Sequence, residues 1–359
     1  MHAFFNNIKH LWKSKFAFKA AVWYLLLFVL LALLLPLLPL QYLPNELHLN
    51  AVYVPPFQFG EKPYHWFGTD ALGRDVLANT LYGARTALFI SFPVAVLSLL
   101  LGLVTGVAAG FFGDRGFMVS RARLLSFLIA PAFVLYFGLY VPARAITLLP
   151  GSLLPLWSFC LLFLALLLLR FGITTALHKV AWFRKAVPLP LDQFLLRLIE
   201  TFTSIPRLIF ILVFVSFLPA TVFLLSATLV LTYWTGTARL ARAEMLRIKN
   251  LPYFESARSL GTTQWGLVFR HALPNMLGPL LVSFTFGLAS LLAFESTLSF
   301  LGIGVPSTLA SWGRMISGVR HHTAAWWLLA FPGIFLLLTV FALQVCNYYI
   351  LSIMQRKKH

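Results

Sequence analysis

Acidic residues are few: ten Asp and Glu stand against 28 Lys and Arg, and together these make up 11% of 359 residues. A soluble domain carries about 25%. A chain that is 60% hydrophobic, with a mean hydropathy of +0.86, has too little polar surface to cover a water-soluble fold. Its apolar residues fall in uncharged runs as long as the ~20 residues that a bilayer core requires. Lipid offers no partner to free N–H and C=O groups, so these runs are expected to be helical. Cysteine is nearly absent: Cys160 and Cys346 both lie in apolar runs, which excludes a disulfide framework and a cysteine metal site. The sequence also lacks G-x-x-x-x-G-K, H-E-x-x-H and G-x-S-x-G, so no phosphate loop, metalloprotease helix or nucleophile elbow is assigned. No catalytic or metal-binding residue is assigned either. The pair His321 and His322, beside Trp326 and Trp327, reads as part of an interfacial belt rather than a metal site.

What is present is positive charge, +18 net. The basic residues lie mostly between the apolar runs, without a basic stripe interleaved with aromatics outside them. That is the pattern of cytoplasmic loops, not of a nucleic-acid surface. Lys9, Lys13, Lys15 and Lys19 precede a run from Ala20 to Leu40, which is too long for a signal peptide and has no small-x-small site after it. It is expected to be an uncleaved first helix, bent or ended by Pro36 and Pro39. A polar stretch, 41–85, should lie on the far face. The next run, Thr86–Gly113, carries Gly102, Gly106 and Gly110. Their four-residue spacing puts three glycines on one face and admits a second helix at close range. Runs at 124–141 and 152–169 come after it, then a basic stretch, 170–197. Two spans broken near Pro219 are expected up to residue 238, with others at 275–294 and 327–351. Eight spans put both basic termini on one side, with 115–123, 170–197 and 239–271 beside them and Arg144 opposite. This is the arrangement the positive-inside rule prescribes.

The segment 239–271 is too polar to span and too long for a simple turn. Tyr253–Leu260 has good helix formers, Gly261 permits a left-handed turn, and Thr262 or Thr263 is placed to cap a second helix from Gln264. A helix, a glycine elbow and a second helix at the membrane surface are expected. From physics alone this is either an unpartnered amphipathic surface helix or a plug for a groove on another protein.

Here the sequence resembles a known family. Glu255-Ser256-Ala257, then Gly261, then His271-Ala272-Leu273-Pro274-Asn275 is similar to the Glu-Ala-Ala coupling loop of ABC importer permeases, with Ser256 in place of the usual alanine. His65-Trp66-Phe67-Gly68-Thr69-Asp70, Leu72-Gly73-Arg74-Asp75-Val76 and Tyr82-Gly83-Ala84-Arg85 resemble a signature of the dipeptide/oligopeptide/nickel permeases. So do Glu295-Ser296-Thr297-Leu298-Ser299-Phe300-Leu301-Gly302, Ser311-Trp312-Gly313 and Phe331-Pro332-Gly333. The order and spacing of these strings carry the resemblance, over about residues 10–115 and 192–345.

The resemblance implies an all-α polytopic membrane protein with the type I ABC importer permease fold. Six family spans plus an inserted hairpin give about eight. It divides the chain into 1–85 (tail, first helix, extracytoplasmic segment), 86–351 (permease domain, insertion at about 115–191) and 352–359 (basic cytoplasmic tail). It implies a multi-pass inner-membrane location with both termini cytoplasmic, no cofactor bound by this chain, and ATP and Mg on partner subunits. The partners implied are a second permease, two ATPase subunits, an extracytoplasmic solute-binding protein and membrane lipid. Glu255, Ser256, Ala257, Gly261 and Pro274 would couple to the ATPase. Gly68, Thr69, Asp70, Gly73, Arg74, Asp75 and Glu295 are the signature positions. Two departures stand out. Family members pass from a turn like Phe111-Phe112-Gly113 directly to an Arg, Asp and Ser-Ile-Pro segment, which appears here only at Arg197, Glu200 and Ser204-Ile205-Pro206; Arg121–Pro131 carries a fainter form of it. The family's charged C-terminal run differs here from Cys346 on. The alternative class is an ion-gradient-driven secondary transporter, which would need ionisable residues inside the spans.

Overall fold

The computed structural model describes residues 11–58, 64–116, 118–148, 153–217 and 221–356. The chain divides into two compact units, Met1–Phe111 with Leu195–His359, and Phe112–Phe194. In chain order the main helices are α1 (Phe16–Leu34), α2 (Val76–Phe112), α3 (Arg121–Phe133), α4 (Val141–Leu148), α5 (Leu154–Leu167), α6 (Leu191–Ser204), α7 (Arg207–Phe217), α8 (Val222–Lys249), α9 (Pro252–Ser259), α10 (Leu273–Phe300), α11 (Trp312–Ser317) and α12 (Trp327–Arg356). Strands β1 (Met118–Ser120) and β2 (Ala186–Pro188) pair antiparallel, with Val119 opposite Val187.

In the first unit, α1 gives way at Pro36 to a 3₁₀ turn, Leu35–Leu37. Helix α2 begins at Val76, well before the uncharged run expected from Thr86. Asp75 caps it, its Oδ2 accepting from the Ala78 N–H at 2.7 Å, which satisfies one of the free donors of the first turn. Arg85 lies within this helix with its guanidinium over the Phe89 ring at 5.1 Å, so one charge does not end it. The glycine face of α2 meets α8. A Cβ on Gly102 would fall 2.6 Å from Thr237 Cβ, and one on Gly110 would fall 2.9 Å from Met245 Cβ.

The region 192–238 departs from the expected single break near Pro219. Pro219 lies outside the described residues; α7 stops at Phe217, and α8 starts at Val222 with Thr221 Oγ1 accepting from the Leu224 N–H. A further break, a bend of 78°, separates α6 from α7 at Ile205-Pro206. Proline lacks the N–H that would continue the ladder and disfavours the helical region for the residue before it. Among the described residues, six helices are long and apolar enough to cross a membrane, and the bent α6–α7 pair makes up to seven. With 28 residues, α8 is long enough for an eighth at 1.5 Å per residue, but it is more polar. Thr228 and Thr232 fold their hydroxyls back onto carbonyls of the preceding turn. The fold is all-α and polytopic.

Contacts fix which helix ends lie together in this unit. Phe18 of α1 packs edge-on against Tyr349 of α12, and Lys249 Nζ donates to the Phe111 carbonyl at 2.9 Å. At the other end, the indole Nε1–H of Trp312 donates to the Thr80 carbonyl at 2.8 Å, and that of Trp327 to the Thr69 carbonyl at 2.9 Å. The segment after α8 therefore shares its end of the unit with the start of α1 and the close of α12. Residues 1–10 and 357–359, with Lys9, Lys357 and Lys358, lie outside the described residues.

The second unit is a helical hairpin. Its arms run from α3 through a π turn, Val134–Tyr140, into α4, and from α5 through a π turn, Leu168–Ile173, into a single turn, Thr174–Leu177. Ser126 Oγ donates to the Leu169 carbonyl at 3.2 Å across the arms. Residues 149–152 at the tip of the expected hairpin lie outside the described residues. The β1–β2 ribbon closes the base. There the Arg121 guanidinium lies 4.3 Å above the Trp182 ring, and the Gln193 N–H donates to Asp114 Oδ1 at 3.0 Å. Phe127, Leu128, Trp157 and Phe163 are exposed along the arms, an apolar surface that water does not tolerate and lipid does. Arg121–Gly138 and Leu156–Leu177 each meet the length and hydropathy of a span.

Candidate functional site

Helix α9 is short and built to be held on one face. Pro252 sits in its first turn, where the missing N–H costs nothing. Phe254 and Ala257 point inward, buried in a cluster with Met245, Ile248, Leu267, Ala272 and Met276. Glu255, Ser256 and Arg258 are exposed. Ala257 is 8% exposed within this cluster, so a larger side chain there would have to displace its neighbours. Glu255 lies in the first turn, where a carboxylate complements the positive end of the helix dipole. The helix ends in a Schellman motif: Gly261 has φ +78°, its N–H bonds to Arg258 O at 3.0 Å, and the Thr262 N–H to Ala257 O at 3.2 Å.

Thr263, not Thr262, caps the next helical segment, its Oγ1 accepting from the Gly266 N–H at 3.2 Å. The expected separate second helix is not there. Residues Gln264–Phe300 run as one helix, with a π turn at Leu267–Ala272. The π turn shifts the hydrogen-bond register just ahead of Pro274, which has no N–H to give. Asn275 Nδ2 donates to Tyr253 Oη at 3.0 Å and to the His271 carbonyl, tying α9 to this helix. Burial pushes the Tyr253 phenol pKa up, against the opposing effects of Arg247 and Asn275. Leu260 and Trp265 on either side of the glycine turn are 87% and 72% exposed, so the elbow presents two large apolar side chains to its surroundings.

The signature residues gather at the other end of the unit. Asp70 Oδ2 pairs with Arg74 Nε at 2.7 Å, and its Oδ1 accepts from the N–H groups of Leu72 and Arg74, closing a turn that contains Gly73. Gly68 has φ +77°, and a Cβ there would reach 2.6 Å from Val54 O and 3.1 Å from Trp327 Nε1. Thr69 Oγ1 accepts from the Val54 N–H at 2.8 Å and donates to Ala51 O at 2.5 Å. Asp75, besides capping α2, holds the buried His65 Nδ1 at 2.9 Å, and Tyr42 stacks on His65. His322, expected in the interfacial belt, packs its ring on Tyr53.

Glu295, expected in a loop after residue 294, is inside α10, which runs on to Phe300. It is 1% exposed. Ser299 Oγ donates to its Oε1 at 2.9 Å, Ser311 Oγ to the same oxygen at 3.3 Å, and Ser296 Oγ to Oε2 at 3.4 Å. A Cβ on Gly313 would run into the Ser296 carbonyl, and one on Gly83 would reach 2.7 Å from Trp312 Cδ1. The carboxylate thus fastens Ser311, and through it the wholly buried Trp312, to the end of α10. Sequence reasoning did not find Arg207 and Ser98, which share a cavity with Thr237 and Ser290; a lone Arg directly after the Ser-Ile-Pro break was the available signal.

The family described as binding-protein-dependent transport system inner membrane component matches residues 169–357. The chain is 30% identical over 330 residues, 92% of this chain and 84% of the relative, to a putative peptide transport system permease protein of Brucella suis biovar 1. It is 28% identical to the oligopeptide transport system permease protein OppC of Bacillus subtilis, over 78% of this chain and 68% of the relative. To the dipeptide transport system permease protein DppC of the same organism it is 26% identical, over 78% and 65%. The helical architecture, the capped short helix α9 and the match over more than half of the chain agree: this protein belongs to the family of binding-protein-dependent transport system inner-membrane components, the multi-pass permeases of ABC importers.

Proposed function

We propose that this chain forms one half of a translocation pathway for short peptides, and that α9 plugs into a groove of a separate ATPase subunit and carries its closure to the spans. The observation that carries the reading is α9 itself: a helix anchored on Phe254 and Ala257, with Glu255 and Ser256 facing out and Leu260 and Trp265 exposed at the glycine turn that follows. Large apolar side chains exposed at the elbow suit a protein groove better than open water. The three similar proteins above, all named as peptide permeases, support the substrate class. The partners in this reading are two ATPase subunits that hold ATP and Mg, a second permease and an extracytoplasmic binding protein. The chain itself catalyses nothing. The end that carries α9, with both termini, faces the cytoplasm, and the Thr69–Asp75 end faces outward, where the binding protein delivers substrate.

The test is co-purification followed by transport. Isolation of this chain through an affinity tag should bring ATPase subunits with it, and the reconstituted complex should take up short peptides on addition of ATP with ion gradients collapsed. The isolated chain should not bind ATP. Uptake that requires an ion gradient and ignores ATP would overturn the reading in favour of a secondary transporter.

A further inference from the structure

A cavity of about 220 Å³ lies in the first unit, lined from α2, α8 and α10 and by the first residue of α7. Its polar lining is Ser98, Arg207, Tyr233, Thr237, Ser283 and Ser290. At this size it suits one end of a ligand rather than a whole drug-sized molecule, which takes about 300 Å³ or more.

Among the described residues of the lining, Arg207 is the one charged side chain. It stands at the break of the bent α6–α7 pair, and backbone irregular at membrane depth is tolerated where it lines a cavity. The guanidinium lies 4.6 Å from the centre of the Tyr233 ring, and the Tyr233 hydroxyl is 3.3 Å from Ser290 Oγ. Among the described residues no carboxylate forms an ion pair with Arg207. A cation held in a membrane domain without a protein counter-charge marks a substrate or ion path. A second observation points the same way: Ser98 lines the cavity, is buried, and its Oγ has no hydrogen-bond partner among the described residues. A buried hydroxyl left unpaired is costly, and a ligand oxygen would complete it.

We propose that Arg207 contacts the substrate in transit, receiving the α-carboxylate of a peptide on its guanidinium while the Ser98 hydroxyl donates to the same group. This rests on the peptide-importer reading above. A planar carboxylate matches the two-pronged guanidinium. The C-terminal end is the one recognised, because the lining holds no acid among the described residues to receive an ammonium group. A free α-carboxylate is also the one anion that every unmodified peptide shares, whatever its side chains, so a single arginine serves a broad substrate range. One exposed cation and one hydroxyl bind weakly enough to release, as a conducting pathway requires.

The experiment uses the complete importer with its binding protein in liposomes. ATP-driven uptake of a labelled tripeptide with uncharged side chains is compared with uptake of its C-terminal amide. The ratio of acid to amide in the wild type includes any preference of the binding protein, which is the same for every variant. Arg207→Gln should lower that ratio roughly tenfold, as loss of a hydrogen bond to a charged group does, by slowing the acid and sparing the amide. Arg207→Ala should do the same and serves if the glutamine variant assembles poorly. Reduced assembly lowers both rates together and leaves the ratio untouched. An unchanged ratio in an actively transporting variant overturns the role of Arg207 alone. A wild-type complex that hydrolyses ATP but takes up neither peptide overturns the peptide reading and the inference with it.

Discussion

A Cβ on Gly106 of α2 would lie 2.9 Å from the Cβ of Ala241 on α8, closer than side chains approach one another. The two helices therefore touch almost backbone to backbone, with Gly102 and Gly110 extending the contact a turn either way. Helix association in lipid rests on such packing rather than on a hydrophobic driving force.

From this contact, Gly106→Leu should destabilise the first unit by about 1–3 kcal/mol or more, the cost of overpacking. Gly333→Leu is the comparison, because nothing stands within 4 Å of a Cβ there. Thermal unfolding in detergent should show a lower midpoint for the first and little change for the second. Equal midpoints would mean that α2 and α8 separate readily at this seam.

At the α9 elbow, Glu255→Ala and Gly261→Val should leave the chain in the membrane at normal levels while ATP-dependent uptake falls. Gly261→Val should be worse than Ser256→Ala, since valine resists the φ of +78°. In the proposed groove Glu255 would face a basic group of the ATPase, and loss of one partner of such a pair once buried costs about 3–5 kcal/mol, enough to impair assembly. Arg144→Ala, in the second unit, is the control and should transport normally. Wild-type uptake by both elbow variants, with the ATPase still bound, would reduce α9 to a connector.

The hairpin of the second unit should cross the bilayer with its tip outside. A cysteine at Thr147, in a chain with Cys160 and Cys346 replaced, should react with a membrane-impermeant thiol reagent in intact cells. Labelling only after lysis would place the hairpin on the cytoplasmic face instead.

Glu295→Ala should cost about 2–4 kcal/mol, because it empties a buried site and strands the Ser299 and Ser311 hydroxyls. Glu295→Gln keeps an acceptor oxygen and should retain most of the stability. The readout is protection of the Ser311–Trp312 segment from proteolysis. If the alanine variant is as protected as the wild type, Glu295 does not hold that segment.

Composition and local pattern were enough to determine several things. The low charge and long apolar runs require a bilayer and helices, since nothing else satisfies their backbone there. The four-residue glycine spacing marks a close-packing face on α2, and the Tyr253–Gly261 string marks a short helix ended by a left-handed residue. These depend on interactions within a few residues of chain. The helix ends were less legible: Arg85 and Glu295 looked like boundaries but lie inside α2 and α10, because packing and hydroxyl partners offset their charge. The π turn before Pro274 and the bend at Ile205-Pro206 likewise depended on what each backbone could recover from its neighbours. Only the tertiary structure decided that α8 is the partner of the glycine face, that Trp327 closes on Thr69, and that Arg207 and Ser98 share a cavity. Those pairs are far apart in sequence, and periodicity tells which face of a helix is buried but not which of several apolar helices will bury it.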